Sequence, residues 1–162
     1  MRALWESRGL PAPDHVAAMT ALLRVHALMT LEIDRVLKGH GLTRTAYLVL
    51  VTLQVSRDPG RPLGQLSKHL LVHPTTVTLV IDQLEQAGLV VRRAHPSDRR
   101  AVLAQLTPEG RTAVDRATRD LAETGFGLGD VDVPLLAQVT RDLREVRTGA
   151  SAAATSSPPG AA

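Results

Sequence analysis

Four arginines, Arg92, Arg93, Arg99 and Arg100, fall within nine residues, and Asp98 is the only acid among them. A guanidinium stays charged at any physiological pH and offers a planar fork of donors that matches a phosphate. Earlier in the chain, Thr75, Thr76, Thr78, Leu79 and Gln83 gather hydroxyl, amide and apolar groups on short or compact side chains. Such groups suit base edges, because hydroxyls can donate or accept and Thr or Leu methyls can meet the thymine methyl. The same threonines would also suit a capped surface helix that binds nothing. His69 and His73 stand four apart, which on one helix would align two imidazoles, but Pro74 ends that geometry and they read as polar surface groups, not as a metal pair. The chain has no cysteine, no glycine-rich phosphate loop, no nucleophile elbow and no His-Glu-x-x-His. Neither an enzyme nor a bound cofactor or metal is expected.

Composition narrows the partner. The 162 residues, 44% hydrophobic and 22% charged, can bury a core as one domain or a compact two-part subunit. Nineteen Lys and Arg against sixteen acids leave a formal charge of +3, too small to name a partner by itself. Trp5, Tyr47 and Phe126 are the only aromatics, too few for the stacking platforms that hold unpaired bases. A nucleic-acid partner would therefore be duplex DNA. The uncharged stretches Thr45 to Ser56 and His69 to Ile81 are shorter than the roughly 18 residues a membrane helix needs. Arg2, Glu6 and Arg8 leave no apolar signal region at the start, so no membrane association and a cytoplasmic location are expected.

Prolines separate the elements that must position these groups. From Asp14 to Gly39, apolar residues recur every three or four positions, the pattern of a helix longer than a small core requires. Thr43 caps a second helix that Asp58-Pro59-Gly60 stops, and a short third runs from about Gly64 to Leu71. Pro74 opens a fourth helix ending near Gly88, with Val77, Val80, Ile81 and Leu84 facing inward. Leu89 to Arg93 and Ala101 to Leu106 read as a hairpin with a polar tip. Thr107-Pro108-Glu109 starts a helix to about Thr124, and a last helix runs from Asp130 or Asp132 to about Arg147. The expected organisation is an N-terminal extension over residues 1–13, a dimerisation region over 14–42 and 107–147, a DNA-binding lobe over 43–106, and a disordered tail over 148–162.

The order is that of a mainly α protein with a small β-hairpin, a winged helix-turn-helix framed by terminal helices. Lys68, His73, Thr75, Thr76, Thr78, Leu79, Gln83, Arg92, Arg99 and Arg100 are the DNA-facing candidates, and Asp98 is expected to pair with Arg100 and brace the wing. The alternative is a winged helix used for protein contact without DNA, which the wing arginines oppose and an exposed Leu79 would favour.

Leu66-Ser67-Lys68-His69-Leu70, the run from Thr75 to Gly88-Leu89-Val90, Asp98-Arg99-Arg100 and Leu106-Thr107-Pro108-Glu109-Gly110, in this order, resemble the MarR family of bacterial transcriptional regulators. The resemblance covers about Asp14 to Arg147 and departs at Ala101, where the family often has glycine. It implies a homodimer with interlocked terminal helices, acting as a regulator, expected to be a repressor, on a pseudopalindromic DNA site. It also implies a small-molecule effector bound between the dimer region and the DNA-binding lobe. Trp5, His26, Met29, Thr30 and Tyr47 combine an apolar body with a polar handle and are the effector candidates. His26 and Tyr47 would equally serve as satisfied core or interface residues. Trp5 is similar to a tryptophan in the urate-responsive branch, but Leu48 and Val80 stand where that branch has charged groups, so an apolar or weakly acidic aromatic effector is expected instead.

Overall fold

The computed structural model of the chain describes residues 2–58, 60–95, 98 and 101–156, without the side chains of 133 and 150–156. It divides into one unit up to Gly127 and a second from Leu128. Helix α1 (Arg2–Ser7) lies in what was expected to be a plain extension, and Arg2 ties it down by reaching Glu6 at 3.2 Å and Asp14 at 2.7 Å. Helix α2 (Pro13–Gly39) matches the long periodic run. Its C-terminus closes where His40 and Leu42 both donate backbone N–H groups to Leu37 and Gly41 takes φ of 68°.

Helix α3 (Arg44–Gln54) begins at the expected cap, with Thr43 Oγ1 accepting from the Ala46 N–H at 3.2 Å. After it comes a strand that hydrophobic alternation could not show, because β1 (Arg61–Pro62) is only two residues long. Helix α4 (Leu63–Leu70) and helix α5 (Pro74–Gln86) follow, and then β2 (Val90–Ala94) and β3 (Val102–Leu106). The sheet order is β1-β3-β2, all antiparallel, with Val90 opposite Leu106 and Ala94 opposite Val102 at the far end of the hairpin. Each hairpin strand starts one residue later than its apolar run, at Val90 and Val102.

Helix α6 (Pro108–Glu123) starts at Thr107, whose hydroxyl accepts from the Gly110 N–H at 2.9 Å and donates to the Gly88 carbonyl at 2.8 Å. One side chain thus caps the helix and ties the root of the wing. Gly110 is required by packing. A Cβ there would lie 2.0 Å from the Leu89 carbonyl oxygen, inside any contact distance. A short 3-10 turn, Gly125–Gly127, places Gly127 against the α2 backbone at Met29.

Helix α7 (Val133–Ser156) runs nine residues beyond the expected end at Arg147. Residues 148–156 are helical where disorder was expected, because their alanines are the strongest helix formers and no proline intervenes before Pro158. The rest of that expected tail, 157–162, lies outside the described residues.

The core of the first unit joins α2, α3, α4, α5, β2 and α6 through Leu37, Val49, Leu66, Ile81, Val90 and Leu121, all essentially sealed from solvent. Outside it, α2 leaves Met19, Leu22, Leu23, Leu28 and Leu31 bare, and α7 leaves Leu135, Val139, Leu143 and Val146 bare. Helix α2 is long and apolar enough to cross a membrane by length and composition alone, so the short uncharged stretches were too narrow a test. Arg24, at its middle, would then sit near the bilayer centre at a cost of about 3 kcal/mol.

Candidate nucleic-acid interface

The site is built on α5. Pro74 presets the first turn, and His73 caps it by accepting the Thr75 N–H on Nδ1 at 3.3 Å. Val77, Val80, Ile81 and Leu84 bury one face of the helix. Thr75, Thr76, Thr78, Leu79 and Gln83 are exposed on the other side, where the apolar periodicity puts them. Thr78 Oγ1 donates to the Pro74 carbonyl at 3.1 Å, so its hydroxyl keeps acceptor capacity for an incoming donor. Thr75 Oγ1 lies 3.1 Å from His73 Nδ1. Lys68 is exposed on α4, the first helix of the pair.

Arg92 is placed differently from its neighbour Arg93. It stands on β2 at the base of the wing, with Nη2 2.6 Å from Asp82 Oδ1 and Nη1 2.5 Å from Glu85 Oε2, both acids on α5. Glu85 Oε1 also accepts the Arg92 backbone N–H at 3.1 Å. The hydrogen bond to Asp82, joined by that to Glu85, holds the guanidinium above its ordinary range. Arg92, expected among the DNA-facing donors, is thus also engaged by two carboxylates of α5. These bonds use one N–H of each terminal nitrogen and fasten β2 to α5. The signal was available in the sequence, since Asp82 and Glu85 are three apart on one helical face.

Arg93 is exposed on β2. Arg99 and Arg100, expected at the wing tip, lie outside the described residues, and so does the Asp98–Arg100 pair. The Asp98 backbone does help to close the tip: its N–H donates to His95 Nδ1 at 3.2 Å and its carbonyl accepts from Ala101 at 3.1 Å.

The five effector candidates stand on three helices, α1, α2 and α3. Tyr47 is buried and its hydroxyl is paired with Thr118 Oγ1 at 3.0 Å, as a satisfied core residue would be. Trp5 Nε1 donates to the Pro11 carbonyl at 2.8 Å, His26 is exposed on α2, and Met29 packs beside Gly127. Thr30 accepts from Arg44 Nη1 at 2.6 Å, and Arg44 also meets Asp34 at 3.2 Å. Sequence reasoning passed over Arg44, which borders a cavity of about 340 Å³ with Asp34, Leu42, Thr43 and Thr45. A second cavity of about 350 Å³ includes His40, Asp120 and Glu123 in its lining, with His40 Nε2 2.8 Å from Asp120 Oδ2. Neither cavity is lined by any of the five candidates.

A helix pair whose second helix is bare and polar on its outer side, followed at once by a hairpin, defines a winged helix-turn-helix protein. The MarR family model matches residues 42–102. The chain is 35% identical over 89 residues to the HTH-type transcriptional regulator MhqR of Bacillus subtilis, covering 55% of this chain but only 60% of that protein. It is 36% identical over 96 residues to the transcriptional repressor Rv2887 of Mycobacterium tuberculosis, covering 59% of this chain and 68% of the relative. Among solved structures it is similar to Sco5413, a MarR family transcriptional regulator from Streptomyces coelicolor, at a TM-score of 0.77 and 37% identity over 85% of this chain and 96% of that one. CouR from Rhodococcus jostii, bound to p-coumaroyl-CoA, gives 0.69 and 28% over 78% and 88% of the two chains. Rv2887 in complex with p-aminosalicylic acid gives 0.60 and 30% over 78% and 95%. The chain belongs to the MarR family, and its fold is that of a DNA-binding transcription regulator.

Proposed function

We propose that the protein binds duplex DNA in a sequence-specific manner as a homodimer and represses transcription. In this reading, α5 enters the major groove while the wing lies against the flanking backbone or minor groove. The observation that carries this reading is α5 itself. One face is sealed into the core, while Thr75, Thr76, Thr78, Leu79 and Gln83 are left exposed on a frame held by His73 and Arg92. The bare apolar residues of α2 and α7 support a second copy of the chain as their cover, which also keeps Arg24 out of hydrocarbon and fits a cytoplasmic location.

The test is fluorescence anisotropy with random and selected duplexes at two salt concentrations. We expect affinity to fall steeply with salt and half-sites about 10 to 10.5 bp apart. Salt-insensitive absence of binding would refute the reading and favour a protein-docking lobe.

The reading extends to a small apolar or weakly acidic aromatic effector that releases DNA by favouring a dimer with misplaced recognition helices. The ligand-bound neighbours CouR and Rv2887 support it. A panel of benzoate-like, phenolic and purine compounds in a DNA-release titration tests it, and release by urate alone would overturn it.

A further inference from the structure

The turn between α4 and α5 contains an unexplained expense. Leu71 takes φ of 54° and ψ of 39°, the left-handed conformation that a branched side chain adopts only at a cost. Its N–H and that of Val72 both go to the Ser67 carbonyl, closing α4 in a cap that glycine would make without strain. The core does not compensate. Leu71 is 88% exposed, whereas the next residue, Val72, packs against the core.

Backbone strain carrying an exposed apolar group is a pattern that function accounts for better than folding does. Leu71 stands two residues before the cap of α5, at the N-terminal end of the helix, the end that meets base edges in this architecture. Leu79, 59% exposed two turns further on, is a second apolar group beside the exposed threonines. Hydroxyls alone would read hydrogen-bonding edges. A bare isobutyl group has one complement in the major groove, the C5 methyl of thymine.

We propose that Leu71 is a specificity-determining residue that contacts a thymine methyl at the edge of each half-site. This rests on the DNA-binding reading and adds a residue and a base to it.

The experiment uses the full chain. A half-site is first selected from random duplex, and each thymine is then replaced singly by uracil, which removes only the methyl group. At one position uracil should weaken wild type about four- to tenfold, and Leu71→Gly should lose the same factor on thymine and nothing more on uracil. Leu71→Gly should melt no lower than wild type, since glycine relieves the strained backbone, which separates lost contact from lost folding. Leu79→Ala should leave the methyl effect at that position intact. If Leu71→Gly keeps wild-type selectivity and methyl sensitivity at every thymine, the proposal is wrong while DNA binding stands. If wild type selects no sequence, the DNA-binding reading itself fails.

Discussion

Replacing Arg92 with alanine separates a residue that braces the interface from one that touches DNA. The change removes two charge-assisted hydrogen bonds, at 2.6 Å to Asp82 and 2.5 Å to Glu85. The three side chains are between 28 and 43% exposed, so solvent screens each contact. About 0.5–1 kcal/mol per contact is the appropriate scale, and the repulsion left between Asp82 and Glu85 keeps the total near 1–2 kcal/mol. Glu85 retains the backbone N–H of residue 92, which keeps β2 in register and limits the loss. Denaturant unfolding should show that decrease. On DNA, affinity should fall about tenfold, because α5 and the wing no longer hold one mutual orientation, while the salt slope should stay within half a unit of wild type. Arg92→Lys should recover only part of both effects, since an ammonium cannot span two carboxylates as a fork does. A salt slope reduced by about one unit with unchanged stability would refute the bracing role and make Arg92 a phosphate ligand.

Gly110→Ala should destabilise the chain by about 3 kcal/mol or more, because its Cβ would meet the Leu89 carbonyl, and circular dichroism melts with DNA binding should report both losses. Tyr47→Phe removes the hydroxyl paired with Thr118 and should cost about 1 kcal/mol in unfolding experiments without changing any effector response. The Glu32 carboxyl, hydrogen-bonded to Arg35, should titrate below its ordinary value by NMR, and Arg35→Ala should raise it. Its ion pair is complete above the ordinary carboxylate range and is lost as pH falls through the lowered value. Ending the chain after Leu128 should aggregate or unfold it in sedimentation experiments, and a soluble folded monomer would count against an obligate dimer.

Legibility in the sequence followed the range of the interaction. The caps Thr43 and Thr107, the Pro74 start and the inward stripe of α5 are local, and they read directly from residue types and spacing. The short strand Arg61–Pro62 escaped because two residues cannot show alternation and its partners, Leu103 and Ala104, lie more than forty residues away. The ion pairs of Arg92 escaped for a related reason: its partners Asp82 and Glu85 stand on another element, and a run of arginines does not show which of them they meet. The effector candidates were chosen by side-chain type, but hydrogen bonding had already committed Tyr47 and Thr30 to partners on other elements. Leu71 was missed because nothing in its identity signals a left-handed backbone.

The two-residue strand β1 has a mechanical consequence. It stitches the entry to α4 onto the middle of β3, Arg92 fastens β2 to α5, and Thr107 locks the wing root to the start of α6. Among the described residues, three separate ties therefore run between the helix pair, the sheet and the helix that follows the wing. If the proposed dimer binds DNA, such ties would make the spacer between half-sites the adjustable quantity and leave the letters read within each half-site unchanged.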